Sequence, residues 1–181
     1  MSVNSIKFKS FEYLVLRFIE WDKELNIQST YQYSFSKLKV TKILFFVSAV
    51  NATPTSKGLL DIFDNFWAMP FGHVESDIYD SLNESNLFHI SKEGLKTKDA
   101  DIHGYFDGID VAKLNLAYQT LKKKNPQLIN LHAFDLVELS HAWQSWKIIF
   151  NLAKSQGKLS LKIPINLIQS ERKFYNLEFA F

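Results

Sequence analysis

Phe11, Leu14, Val15, Phe18 and Ile19 recur at steps of three and four with polar residues between them. That spacing puts all five on one face and predicts an amphipathic helix over about residues 7–25. Residues 26–34 are polar and read as a loop. A second helix is expected to begin at Ser34 or Ser36, since either hydroxyl can accept from free backbone amides. Its apolar residues, from Leu38 and Val40 through Ile43, Leu44, Phe45, Phe46, Val47 and Ala49, go all the way round. A helix apolar on every side is a central, buried one.

The stretch Asn51–Gly58 reads as a loop on its Pro, Gly and hydroxyl content. Leu59–Phe71 fits helix and strand equally. The segment Phe66-Trp67-Ala68-Met69-Pro70-Phe71-Gly72-His73-Val74-Glu75-Ser76-Asp77-Ile78-Tyr79 reads as an apolar extended approach, a forced turn and a helix. Gly72 supplies backbone angles closed to other residues. Ser76 and Asp77 favour a helix start, and the helix is expected from near Val74 to about Leu82. Leu87–Ile90 suits a short strand or turn. Residues 91–108, punctuated by Gly94, Asp101, Gly104 and Gly108, read as mostly irregular.

Asp110 is the expected cap of a further helix with Leu114, Ala117, Tyr118 and Leu121 on its apolar face. Lys122–Lys124 suit its C-terminal dipole, and Pro126 follows the stop. Two more helices are predicted, about 132–141 and 143–155. The second presents Trp146, Ile149, Phe150 and Ala153 on one side and ends at Gly157. Leu159, Leu161 and Ile163 alternate at period two, as do Leu177, Phe179 and Phe181, which suggests two short strands that pair. Pro164 would open a last helix over about 165–175.

At 181 residues the chain is expected to form one domain, 1–181. With 16 Phe and 15% aromatic residues it can build a core without staples, and the absence of Cys removes disulfides, thiolate metal sites and a Cys nucleophile. The N-terminus lacks the apolar run of a signal peptide. The longest apolar run, Ile43–Val47, is far below the ~20 residues that span a bilayer. A soluble, cytoplasmic protein is therefore expected. A net charge of +2 is too weak a field to argue for nucleic acid.

The five His (His73, His89, His103, His132 and His141) show no helical metal-ligand spacing. Neither a metal nor a cofactor is expected, and no glycine-rich phosphate loop is present. His141 sits between two helical patterns, where a capping or packing role outweighs a general base. Ser140 beside it is no nucleophile signal, because a hydrolase triad assembles in space. Lys122–Lys124 read as a solvated helix end. Trp143 and Trp146, three apart on a helix, read as core before interface, although Trp is enriched at binding hot spots.

Three segments together resemble the Panacea antitoxin domain family, which includes SocA-like proteolytic adaptors and phage-associated GepA-like proteins. The first is Lys39-Val40-Thr41-Lys42-Ile43-Leu44-Phe45-Phe46. The second is the corner Phe66–Tyr79. The third is Leu136-Val137-Glu138-Leu139-Ser140-His141-Ala142-Trp143, with Trp146 close behind. The order and spacing agree over about residues 34–150. His73 stands where the family favours Pro, and Met69 where it favours Trp. The resemblance implies a mainly α-helical, compact single domain with a small antiparallel β element. It also implies a non-enzymatic role: neutralising a co-encoded toxin by direct binding, or as an adaptor that delivers it to a protease. Trp67, Phe71, Gly72, His73, Tyr79, His141, Trp143 and Trp146 are the candidate partner-binding or motif residues. The alternatives are a nucleic-acid-binding regulator of its own operon, using Lys37, Lys39, Lys42 and Lys122–Lys124; a mobile-element interaction protein; and a hydrolase built on His141 or His73.

Overall fold

Ser36 opens the helix around which the rest is arranged: its hydroxyl accepts from the Lys39 amide at 3.3 Å. The computed structural model describes residues 5–26 and 35–177. Helix α2 (Lys37–Ala49) has every residue from Lys39 to Ala49 buried, as its all-round apolar pattern requires. Against it lies α1 (Ser5–Leu25), which buries the predicted face of Phe11, Leu14, Val15, Phe18 and Ile19. Trp21 joins them at 0% exposure, its indole donating to the Pro126 carbonyl at 3.0 Å. Of the expected 26–34 loop, only Asn26 lies within the described residues.

The ambiguous stretch after the loop divides in two. A short 3-10 turn (Gly58–Asp61) is followed by strand β1 (Phe66–Met69), which pairs antiparallel with β2 (Gly72–Glu75) across Pro70 and Phe71. Val74 is thus not the start of a helix: it sits opposite Trp67 in the hairpin. Helix α3 (Ser76–Ser81) begins two residues later, because backbone pairing occupies residues 72–75 and the Glu75 carboxylate then caps the Ile78 amide at 2.8 Å. Gly72 is required twice over. Its φ is +92°, and a Cβ there would lie 2.5 Å from Ser140 Oγ.

Residues 91–108 are less irregular than expected, since β3 (Phe88–Ile90) pairs with β4 (Leu95–Thr97). Helix α4 (Val111–Lys124) has the predicted Asp110 cap and the predicted buried face. Helices α5 (Ala133–His141) and α6 (Gln144–Ser155) follow as expected. Strand β5 (Leu161–Lys162) adds to β1, giving the order β2-β1-β5. Leu159 is 81% exposed and belongs to no strand. Of Leu177, Phe179 and Phe181, expected to form the partner strand of this segment, Leu177 lies in no strand and the two Phe lie outside the described residues.

Helix α7 (Ile165–Ser170) stops short of the predicted 175. The Lys173 ammonium binds the Ile168 and Gln169 carbonyls that a longer helix would use. The chain beyond turns back toward α6: Glu171 accepts from the Ser145 amide at 3.0 Å, and the Trp143 indole donates to the Phe174 carbonyl at 3.1 Å. Among the described residues the fold is mainly α, with seven α-helices and two small antiparallel sheets, β2-β1-β5 and β3-β4. One apolar core runs through it from Phe11 to Tyr175. Among the described residues, no helix is long and apolar enough to cross a membrane.

Candidate binding groove

The three sequence segments behind the resemblance touch one another. Lys42 of α2 is fully buried, and its ammonium donates to the His73 carbonyl of β2. His73 is also at 0% exposure. Its Nδ1 lies 2.8 Å from Ser140 Oγ of α5, and its Nε2 lies 2.8 Å from Ser145 Oγ of α6. The Ser140 oxygen also accepts from the His73 amide at 3.1 Å. Burial, with Lys42 and His141 nearby, drives the His73 pKa well below its ordinary value, so the ring is neutral. Burial likewise pushes Lys42 down to about 7. This polar spine locks the hairpin to α2, α5 and α6 from within.

Burial therefore removes three of the sequence candidates from the surface. Gly72, His73 and Trp143 are enclosed, and Trp143 packs edge-on against Phe45 at 4.8 Å. Trp146 is half-buried, stacked at 3.8 Å on His141 and donating to the Met69 carbonyl at 2.9 Å. His141 is a packing residue, as expected, and burial lowers its pKa while Glu138 and the Pro70 carbonyl oppose the shift. Trp67 is half-buried and donates to Asn65 Oδ1 at 3.1 Å. Phe71, 56% exposed, and Tyr79, 37% exposed, remain at the surface.

Both of these border a groove of about 540 Å³. Helix α2 contributes Leu38 and Thr41, and the hairpin contributes Met69, Phe71 and Val74. Phe134, at the start of α5 and 66% exposed, stands edge-on to Phe71 with ring centroids 6.4 Å apart. Lys37 and Lys92 supply its cations, and among the described residues no carboxylate or imidazole lines it. The Lys37 ammonium sits 3.5 Å above the Tyr79 ring. Sequence reasoning missed Phe134, Lys37 as a groove residue, and Lys92, because three distant segments deliver them.

The basic cluster read from the sequence is dispersed. Lys39 is 4% exposed and Lys42 is 0% exposed, so neither presents its charge to phosphate. Lys122 is paired with Glu24.

A second cluster lies at the other end of the hairpin. Ligand oxygens of Asp64, Glu75 and Asp77 lie within 4.8 Å of one another. The Lys7 ammonium occupies their centre at 2.7, 2.9 and 2.6 Å. Burial alone would lower its pKa, but the bonds to Asp64, Asp77 and Glu75 outweigh burial and hold it above the ordinary value. An amine with three donors thus fills the place a cation would take. The His-centred sequence search gave no sign of this cluster, since the three acids sit on a loop, a strand and a helix.

Comparison of the chain with family models, curated proteins and solved structures finds no match in any of the three.

Proposed function

We propose that this protein is a non-enzymatic binding module of the antitoxin type, which holds a co-encoded toxin on the groove bordered by Phe71 and Phe134. The observation that carries this reading is the groove itself. Two large aromatic side chains stay exposed at its edge, and its lining is otherwise mainly apolar. Exposed apolar patches bordered by polar residues mark interaction sites. The convergence of the three resemblance segments adds support: the first lines the groove with Thr41, the second with Met69, Pro70, Phe71, Val74 and Tyr79, and the third continues the helix that carries Phe134. The enclosed His73 and the stacked His141 favour binding over hydrolysis. The burial of Lys39 and Lys42 favours a protein partner over nucleic acid. A toxin made alongside would put this role in the cytoplasm, either as a direct neutraliser or as an adaptor for a protease.

The test is co-expression with the product of the adjacent reading frame. Growth rescue and co-purification are expected, and both should fail for the Phe71→Ser/Phe134→Ser variant. A toxic neighbour that is neither rescued nor co-purified by the native chain overturns the reading.

A further inference from the structure

Resting on that reading, we propose that the groove takes an acidic, apolar segment of the partner polypeptide. Large apolar side chains would seat against Phe71 and Phe134, with carboxylates over Lys37 and Lys92.

Charge complementarity selects this occupant. Among the described residues, Lys37 and Lys92 are the only cations that line the groove, and no acid lines it. Glu93, next to Lys92, is turned to the Ser91 hydroxyl, which donates to it at 2.6 Å. The first turn of α2 opens onto the same end, with Ser36, Lys37 and Leu38 in the lining. That helix is 13 residues long, and the partial positive charge of its N-terminus adds to the lysines. Lys37 is further restrained by its position over Tyr79, so its ammonium is presented at a defined place. Apolar contact supplies affinity at the Phe end, and the cations orient the ligand at the other. A basic segment would meet two lysines and a helix N-terminus, with Glu93 beside Lys92 as the nearby countercharge. A neutral apolar segment would leave the lysines unused.

The probes are three fluorescein-labelled 14-residue amphipathic peptides with the same Leu/Phe face and with Glu, Gln or Lys on the flanks. Fluorescence anisotropy with the whole chain at 50 mM NaCl is expected to show the Glu peptide at least tenfold tighter than the Gln peptide, with the Lys peptide weaker still. Raising NaCl to 500 mM should cost the Glu peptide at least fivefold, because exposed charges are screened. Lys37→Gln/Lys92→Gln should erase the preference for Glu while keeping the far-UV spectrum. Phe71→Ser/Phe134→Ser should weaken all three peptides.

Equal affinity for the Glu and Lys peptides, or no binding of the Glu peptide, overturns the proposal. So does laurate competing as strongly as the peptide, which would assign the groove to a small apolar carboxylate. Native dimers that dissociate on Phe71→Ser/Phe134→Ser would assign it to a second copy. The two readings fail separately. Toxin rescue without a Glu preference removes this inference alone. A Glu preference in a chain that rescues no toxin removes the antitoxin reading alone.

Discussion

The imidazole of His73 lies flat on the ring of Phe45, with centroids 3.7 Å apart and planes 8° from parallel. A serine hydroxyl sits at each ring nitrogen. Such a ring is held neutral, and its pKa is lowered by burial first and by Lys42 and His141 after it. Above the ordinary His pKa of about 6.5, neither the folded nor the unfolded chain protonates it. As the pH falls below that value the unfolded chain gains a proton that the folded one refuses. Stability should then drop by up to about 1.4 kcal/mol per pH unit from this group. Urea unfolding between pH 7.5 and 5 measures the slope. In His73→Leu this component should vanish, although the variant starts lower because both hydroxyls lose their partner.

Lys42 gives the opposite end of the pH scale. Its folded pKa is about 7, lowered by burial, against about 10.4 in an unfolded chain. Between these values the unfolded chain binds the proton and the folded chain does not, so stability rises with pH over this window. Native protein is therefore expected to gain on Lys42→Met as pH moves from 7 to 10, by about 1 kcal/mol per unit. Urea midpoints of the two proteins at matched pH values check it. Parallel curves would mean that Lys42 remains charged in the fold.

Gly72→Ala should cost about 2–4 kcal/mol, from a side chain at positive φ and from overlap with Ser140. Adding Ser140→Ala should recover only part, since it relieves the overlap at 2.5 Å and leaves φ at +92°. A double-mutant cycle by chemical denaturation separates the two causes. Full recovery would show that the backbone angle carries no strain.

Lys7→Met leaves the buried Glu75 carboxylate beside Asp64 and Asp77 without their common partner. The expected loss is about 2–3 kcal/mol, below the usual figure for a broken buried pair because Asp64 and Asp77 are partly solvated. Millimolar Ca²⁺ should restore part of the midpoint in the variant and leave native protein unmoved. Thermal melts with and without the ion decide this.

Phe71→Ser and Phe134→Ser should each change stability by under about 0.5 kcal/mol, because the rings are largely exposed. Their effect should appear in partner binding alone, read by co-purification yield beside an unchanged melting curve. A large drop in stability would make these rings structural.

Periodicity carried the helices well. The face of α1, the Asp110 cap and the all-round burial of α2 depend on neighbours within one or two turns, and local spacing encodes such things. The hairpin was harder. Gly72 announced a turn, but the strand character of Val74 depends on Trp67 opposite it, and Glu75 displaced Ser76 as the cap. The early end of α7 depends on Glu171 and Phe174 being drawn to α6. At the site, Phe71 and Tyr79 were legible as parts of one segment. Trp143 was legible as core before interface, but the burial of His73 was not, since it is decided by Ser140 and Ser145, 67 and 72 residues away. Phe134 and Lys92 carry no local pattern that marks them.

Ser140 joins the hairpin to the far end of the same short helix that begins beside Phe134. The backbone beneath the two touching rings is thus one casting. An incoming ligand meets a wall that is already assembled. Its arrival should follow a single exponential whose rate climbs linearly with concentration, with no plateau from a slow opening step.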